Sequence, residues 1–130
     1  MFKLKDLSLM LKTGDLQASI DFYTEILGFQ VCTLWPEQNP TFCILDHGDV
    51  RVMFYVDENQ CDPEPVLTGH LYIDADDVQD LYERIKDQVE IVWGPEVYHY
   101  GRREFAIKDC NGYVLAFSES TNEPPTCPAE

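Results

Sequence analysis

Gly14-Asp15-Leu16-Gln17-Ala18-Ser19-Ile20-Asp21-Phe22-Tyr23, followed shortly by Leu27-Gly28-Phe29, holds a turn, a capped helix and a helix stop in one run. Asp15 is placed to cap the helix N-terminus. Leu16, Ile20, Tyr23 and Leu27 recur at helical spacing, and Gly28 supplies the left-handed C-terminal cap. Upstream, Leu7, Leu9 and Leu11 alternate with Ser8, Met10 and Lys12, the period of a strand with one buried face. Downstream, Phe29 to Trp35 reads as a second strand, closed by a Pro36–Pro40 loop. Phe42 to Leu45 and Arg51 to Val56 flank the turn Asp46-His47-Gly48-Asp49 as a hairpin.

The same order then repeats. His70 to Asp74 is strand-like, and Val78, Leu81, Tyr82, Ile85 and Val89 mark a helix opened by Asp76 or Asp77. Glu90 to Trp93 is a strand expected to break at Gly94-Pro95. Arg103 to Lys108 and Tyr113 to Ser118 flank the turn Asp109-Cys110-Asn111-Gly112. Asp15-Leu16-Gln17 matches Asp77-Val78-Gln79 at an offset of 62 residues, and Asp46 matches Asp109 at 63. The expected fold is therefore α+β: two βαβββ repeats whose curved mixed sheets surround a cleft, with helices on the outer faces. The repeats span 4–57 and 67–119, joined by a polar linker over 58–66, in a single domain over 1–120. Residues 121–130, with three prolines, read as a flexible tail.

Composition narrows the function. The chain has 130 residues, 24 acidic against nine basic, and a net charge of −15. Such a surface repels phosphate backbones and anionic lipid, which disfavours nucleic-acid and membrane partners. No apolar run approaches a membrane span, and Leu7 to Leu11 is too short for a signal-peptide core. The five cysteines (Cys32, Cys43, Cys61, Cys110, Cys127) are odd in number and include no C-x-x-C pair, the pattern of reduced thiols in a cytoplasmic protein. Nucleophile elbows, phosphate loops and dinucleotide fingerprints are absent. Asp74, Asp76 and Asp77 gather where a helix N-terminus attracts acids for dipole reasons alone.

Strand alternation sorts the remaining residues. Leu9, Val52, Phe54, Leu71, Ile73, Leu115 and Phe117 are expected under the helices. Ser8, Met10, Arg51, Met53, Tyr55, His70, Tyr72, Ala116 and Ser118 take the opposite face, which Met53, Tyr55 and Tyr72 mark as a cleft rather than plain wet surface.

The twofold βαβββ pattern, with Gly-Asp-Leu, Ser-Ile-Asp-Phe-Tyr and Leu-Gly-Phe, resembles the vicinal oxygen chelate superfamily. The run from Tyr100 to Tyr113 is similar to that superfamily's closing hairpin, and the likeness covers Leu4 to Ser120. The superfamily includes glyoxalase I, extradiol dioxygenases, fosfomycin-modifying thiol transferases and the bleomycin resistance proteins. Its enzymes hold a divalent metal with side chains from four symmetric strands. The resemblance puts those positions at Ser8, Met53, His70 and Ala116, where one imidazole cannot supply three or four donors. No cofactor is then implied. His70 is read as a hydrogen-bonding or titrating pocket group, or as a histidine satisfied by its neighbours. His47 reads as a solvated turn residue, and His99 as a pocket-rim group with a separate metal site through it left open.

The pattern is closest to the metal-free bleomycin resistance type, which implies a homodimer sequestering a small, cationic, aromatic ligand without catalysis. Trp35, Phe42, Tyr55, Tyr98, Tyr100 and Phe105 supply stacking surfaces, with Met53, His70, Tyr72 and Arg103 as further lining residues. Arg51 and Arg103, if they faced the ligand, would reverse the local field. The alternative is a related lyase, isomerase or dioxygenase-like enzyme using His70 as acid or base. The halves could pair within one chain or exchange across a dimer.

Overall fold

A computed structural model describes residues 1–57 and 65–127; most of the linker, Cys61 and the last three residues lie outside the described residues. The chain forms two compact units, Met1–Pro65 and Val66–Glu130.

In the first unit, β1 (Leu9–Lys12) is followed by α1 (Leu16–Asp21) and then β2 (Gln30–Trp35), β3 (Phe42–His47) and β4 (Val50–Tyr55). The sheet order is β1-β4-β3-β2, with β1 parallel to β4 and the other pairs antiparallel. Asp15 caps α1 by accepting the Ala18 N–H at 3.0 Å. Thr13 and Ser19 hydroxyls, 2.9 Å apart, lock the same corner. Beyond Asp21 the helix widens into a π turn over Phe22–Ile26, and Gly28 ends it at φ +77°. Leu16, Ile20, Tyr23 and Leu27 are all buried, as their spacing predicts. Tyr23 lies against Phe54 and Phe29, at ring separations of 5.1 and 5.4 Å. Beneath it Leu11, Phe54 and Cys43 share one cross-strand row, with Leu45 and Val52 in the next. Each large side chain fully buried here contributes about 2 kcal/mol.

The second unit repeats the plan. β5 (Leu71–Asp74), α2 (Val78–Ile85), β6 (Glu90–Tyr98), β7 (Arg102–Lys108) and β8 (Val114–Ser120) make a sheet of order β5-β8-β7-β6, with β5 parallel to β8. Asp77 caps α2 by accepting the Asp80 N–H at 3.1 Å, and Glu119 accepts the Val78 N–H. α2 covers Phe105, Ile107, Leu115 and Phe117, with Tyr82 edge-on to Phe105 at 5.4 Å. Both sheets are mixed and the helices few, so the α+β class expected from the repeat is the one observed.

The structure departs from the expectations at four places. Leu9, expected under the helix, is 37% exposed, while Leu11 is buried. Phe105, expected on a ligand-facing surface, is fully buried beneath α2. β6 does not break at Gly94-Pro95: it runs on to Tyr98 through register shifts between Ile91 and Trp93 and between Trp93 and Glu96. Gly94, at φ +77°, makes this possible, since a Cβ there would lie 2.3 Å from the Glu104 carbonyl oxygen. Finally, residues 121–127 are tied down rather than loose. The Thr126 N–H donates to the Val97 carbonyl at 2.9 Å, the Val97 N–H returns a bond to the Thr126 hydroxyl at 2.8 Å, and Glu123 pairs with Arg103.

Among the described residues no helix is long and apolar enough to cross a membrane. Cys32, Cys43 and Cys127 are free thiols. Burial pushes the Cys43 thiol up, so it behaves as a core residue rather than a nucleophile.

Candidate functional site

Because cross-strand partners share a face, the register assigns each open sheet surface. On the first sheet, Trp35, Phe42, Tyr55 and Lys12 form one row and Thr33, Ile44, Met53 and Met10 the next. Four of the expected ligand residues, Trp35, Phe42, Met53 and Tyr55, therefore sit together on the face opposite α1. Arg51 is engaged there by both oxygens of Asp46, at 2.7 and 2.8 Å. That pairing holds the Asp46 carboxyl below its usual range and neutralises the arginine locally. Ser8 lies half-buried just before β1.

The second sheet's open face is different in kind. Tyr72, Ala116, Ala106 and Trp93 form one row, and Asp74, Ser118, Glu104 and Glu96 the next. A cavity of about 350 Å³ opens over these rows, lined by His70, Tyr72, Trp93, Tyr98, Tyr100, Glu104 and Ala116. It gathers the other four expected aromatic and imidazole residues. The His70 ring meets Trp93 edge-on at 5.0 Å, and Tyr98 and Tyr100 lie parallel with centroids 5.5 Å apart.

At the cavity wall sits a carboxylate that the sequence reading passes over. Glu104 is only 4% exposed, yet it belongs to the open face. Its Oε2 accepts from the Ser118 hydroxyl at 2.9 Å and from the Tyr72 hydroxyl, while Oε1 accepts from Tyr100 at 2.7 Å. Three hydroxyl donors offset the cost of holding this charge out of water. Ser118, fully buried, also accepts from Arg102 Nε at 2.6 Å, and Arg102 pairs in turn with Asp74. The Arg102 charge is thus balanced by Asp74, and the Glu104 charge is the one directed at the cavity. Partial burial, then the bond to Glu104 and its charge, hold the Tyr100 phenol well above the usual tyrosine range. Tyr98 is raised as well, chiefly by burial.

Arg103 does not join this group. It alternates with Glu104 onto the helix-covered face and pairs with Glu123, so Arg102 is the arginine on the cavity side. His99 occupies the turn after β6, exposed and edge-on to Tyr100, outside the cavity lining. His47 is exposed at the end of β3, with its ring 5.5 Å from Phe29. Asp77 is a helix cap and Asp74 an ion-pair partner, as a structural reading of those acids requires. Trp93 and Glu104 are the residues that sequence reasoning missed. For Glu104 a signal was present: an acid immediately before the apolar run Phe105-Ala106-Ile107, in alternation with Phe105.

The model of the Glyoxalase/Bleomycin resistance protein/Dioxygenase superfamily matches residues 7–117, most of the folded chain. The chain belongs to this superfamily. Lactoylglutathione lyases of two Neisseria meningitidis strains are 27% identical to it, over 83% of this chain and 85% of theirs. Among solved structures, TioX from Micromonospora sp. ML1 has a TM-score of 0.74 at 18% identity, covering 89% of this chain and 98% of its own. A glyoxalase/bleomycin resistance protein/dioxygenase from Nocardioides has 0.72 at 17%, covering 100% and 92%. These two establish likeness of fold. At the positions that the resemblance gives for the superfamily's metal, Ser8, Met53 and Ala116 offer a hydroxyl, a thioether and a methyl and His70 an imidazole, a set that does not fit such a metal. Among the described residues no three His, Cys, Asp or Glu side chains cluster as metal ligands.

Proposed function

We propose that this superfamily member is a small-molecule binding protein that sequesters planar aromatic cations in the cavity of its second unit. One observation carries the reading. A buried carboxylate, Glu104, opens onto a pocket whose other walls are Tyr72, Trp93, Tyr98, Tyr100 and His70. Rings of this kind stack on flat ligands for roughly 1 kcal/mol each, and a desolvated cation over them gains about 2 kcal/mol. The carboxylate adds a charge-assisted bond, and the net charge of −15 attracts cations at longer range. Arg51 and Arg103, which would have reversed the field, are paired with Asp46 and Glu123.

A lyase of the kind named for the Neisseria relatives has less support. The four superfamily metal positions lack the donors, and His70 stands against Trp93 rather than against a carboxylate that would orient it as a base. The reading includes a cytoplasmic homodimer, supported by the apolar open face of the first sheet, where Met10 and Trp35 are more than half exposed. Light scattering at micromolar concentration checks the dimer, and a monomer counts against it.

The ligand class is tested with three probes of one shape: 2-naphthamidinium, neutral 2-naphthamide and 2-naphthoate. Titration calorimetry should rank them in that order, with the cation weakening as salt is raised because part of its attraction is screened. Tighter binding of the naphthoate overturns the reading.

A further inference from the structure

The two oxygens of Glu104 are held unequally. Oε2 is fixed from within the sheet, by Ser118 of β8 and Tyr72 of β5, and Ser118 is itself anchored by Arg102. Among the described residues Oε1 has a single partner, the hydroxyl of Tyr100. Tyr100 lies outside the strands, in the turn between β6 and β7, and is 54% exposed. One oxygen is thus a fixed structural acceptor and the other is covered by a movable donor at the cavity surface.

We infer that Oε1 of Glu104 is the ligand-reading atom of this site, and that Tyr100 occupies it as an exchangeable stand-in for a ligand N–H donor. The inference rests on the cation-binding reading above and names the atom that enforces it. An incoming amidinium or protonated amine has to displace the Tyr100 hydroxyl, while the Tyr100 ring stays available for stacking beside Tyr98. The ligand therefore competes with a hydrogen bond from a neutral donor and replaces it by one in which donor and acceptor are both charged, which is the stronger of the two. A neutral amide makes an exchange of like for like and gains little. A carboxylate has no proton to offer and meets the Glu104 charge directly. Specificity for cations then follows from the one exchangeable bond rather than from the net charge of the protein.

The separation of ring from hydroxyl gives an unusual test. Tyr100→Phe keeps the stacking surface and removes only the competing donor. It should tighten 2-naphthamidinium by about tenfold, the lower end of the worth of a hydrogen bond to a charged group, and 2-naphthamide, which displaces the same hydroxyl, by a similar factor, with 2-naphthoate moved by less than about twofold. Tyr98→Phe, which removes a hydroxyl with no bond to Glu104, should leave the cation within about twofold. Glu104→Gln should bring the cation down to the level of the amide, a loss of about tenfold or more. Unchanged or weaker cation binding in Tyr100→Phe overturns the inference while leaving the cation reading standing. Failure of the unaltered protein to prefer the cation overturns that reading and the inference with it.

Discussion

The two units share a helix cap, a hairpin and a strand order, yet their open sheet faces have opposite characters. On the first, Met10, Ile44 and Met53 lie beside Trp35, Phe42 and Tyr55, and the ionic elements there are the pairs Arg51–Asp46 and Lys12–Asp57. On the second, a buried carboxylate and a network of hydroxyls sit under an aromatic-walled cavity. A difference in the outer strands accompanies this. β2 has six residues and one register shift, between Val31 and Thr33; β6 has nine residues and two shifts, the second passing through Gly94. The added length carries Tyr98 and the turn with Tyr100 to the cavity. The comparison teaches that repetition of a fold does not repeat its chemistry: a few backbone irregularities and one acid separate a site from a face.

The largest expected effect comes from breaking that backbone difference. Gly94→Ala forces a Cβ against the Glu104 carbonyl at a positive φ, and should destabilise the protein by ~3 kcal/mol in denaturant unfolding. Cys32→Ala, at the register shift of the first unit, is exposed and should cost less than ~0.5 kcal/mol. Equal costs at the two places would remove the asymmetry.

Next in size is the strap of residues 121–127. Ending the chain at Ser120 removes the Thr126–Val97 bonds and the Arg103–Glu123 pair, which brace the end of β6 and the start of β7. Stability should fall by about 1–2 kcal/mol. Binding of 2-naphthamidinium should weaken by about threefold or more, although no strap residue lines the cavity. Unaltered affinity in the shortened chain would show that the Tyr98–Tyr100 wall needs no brace.

The smallest effect sharpens the contrast. Trp35, 65% exposed, should be replaceable by Ala within about 0.5 kcal/mol of stability and with no change in cation affinity. A tenfold loss of affinity would move the ligand onto the first sheet.

The fold was legible because its signals are local. Asp15 and Asp77 as caps, Gly28 as a stop, and the spacing of Leu16, Ile20, Tyr23 and Leu27 each depend on a few neighbouring residues. Part of the cavity was legible too, since period-two alternation put His70, Tyr72 and Ala116 on its face. Glu104 was not. Its role comes from donors 32 and 14 residues away, Tyr72 and Ser118, which only strand pairing brings to it. Gly94-Pro95 misled for a related reason. The pair reads as a breaker by itself, but the close approach to β7 turns the glycine into the means of continuing the strand. The tail misled through composition: prolines indicated looseness, while Thr126 and Glu123 supplied tertiary bonds that no composition shows.

The central claim, that the second unit's cavity reads cations through Glu104, is tested most directly by a crystal structure of the protein with 2-naphthamidinium. The account predicts an amidinium nitrogen within hydrogen-bond distance of Glu104 Oε1, the Tyr100 hydroxyl displaced from it, and the naphthyl ring against Tyr98 and Tyr100. An amidinium away from Glu104, with its ring seated on Trp35, Phe42 and Tyr55, would contradict it.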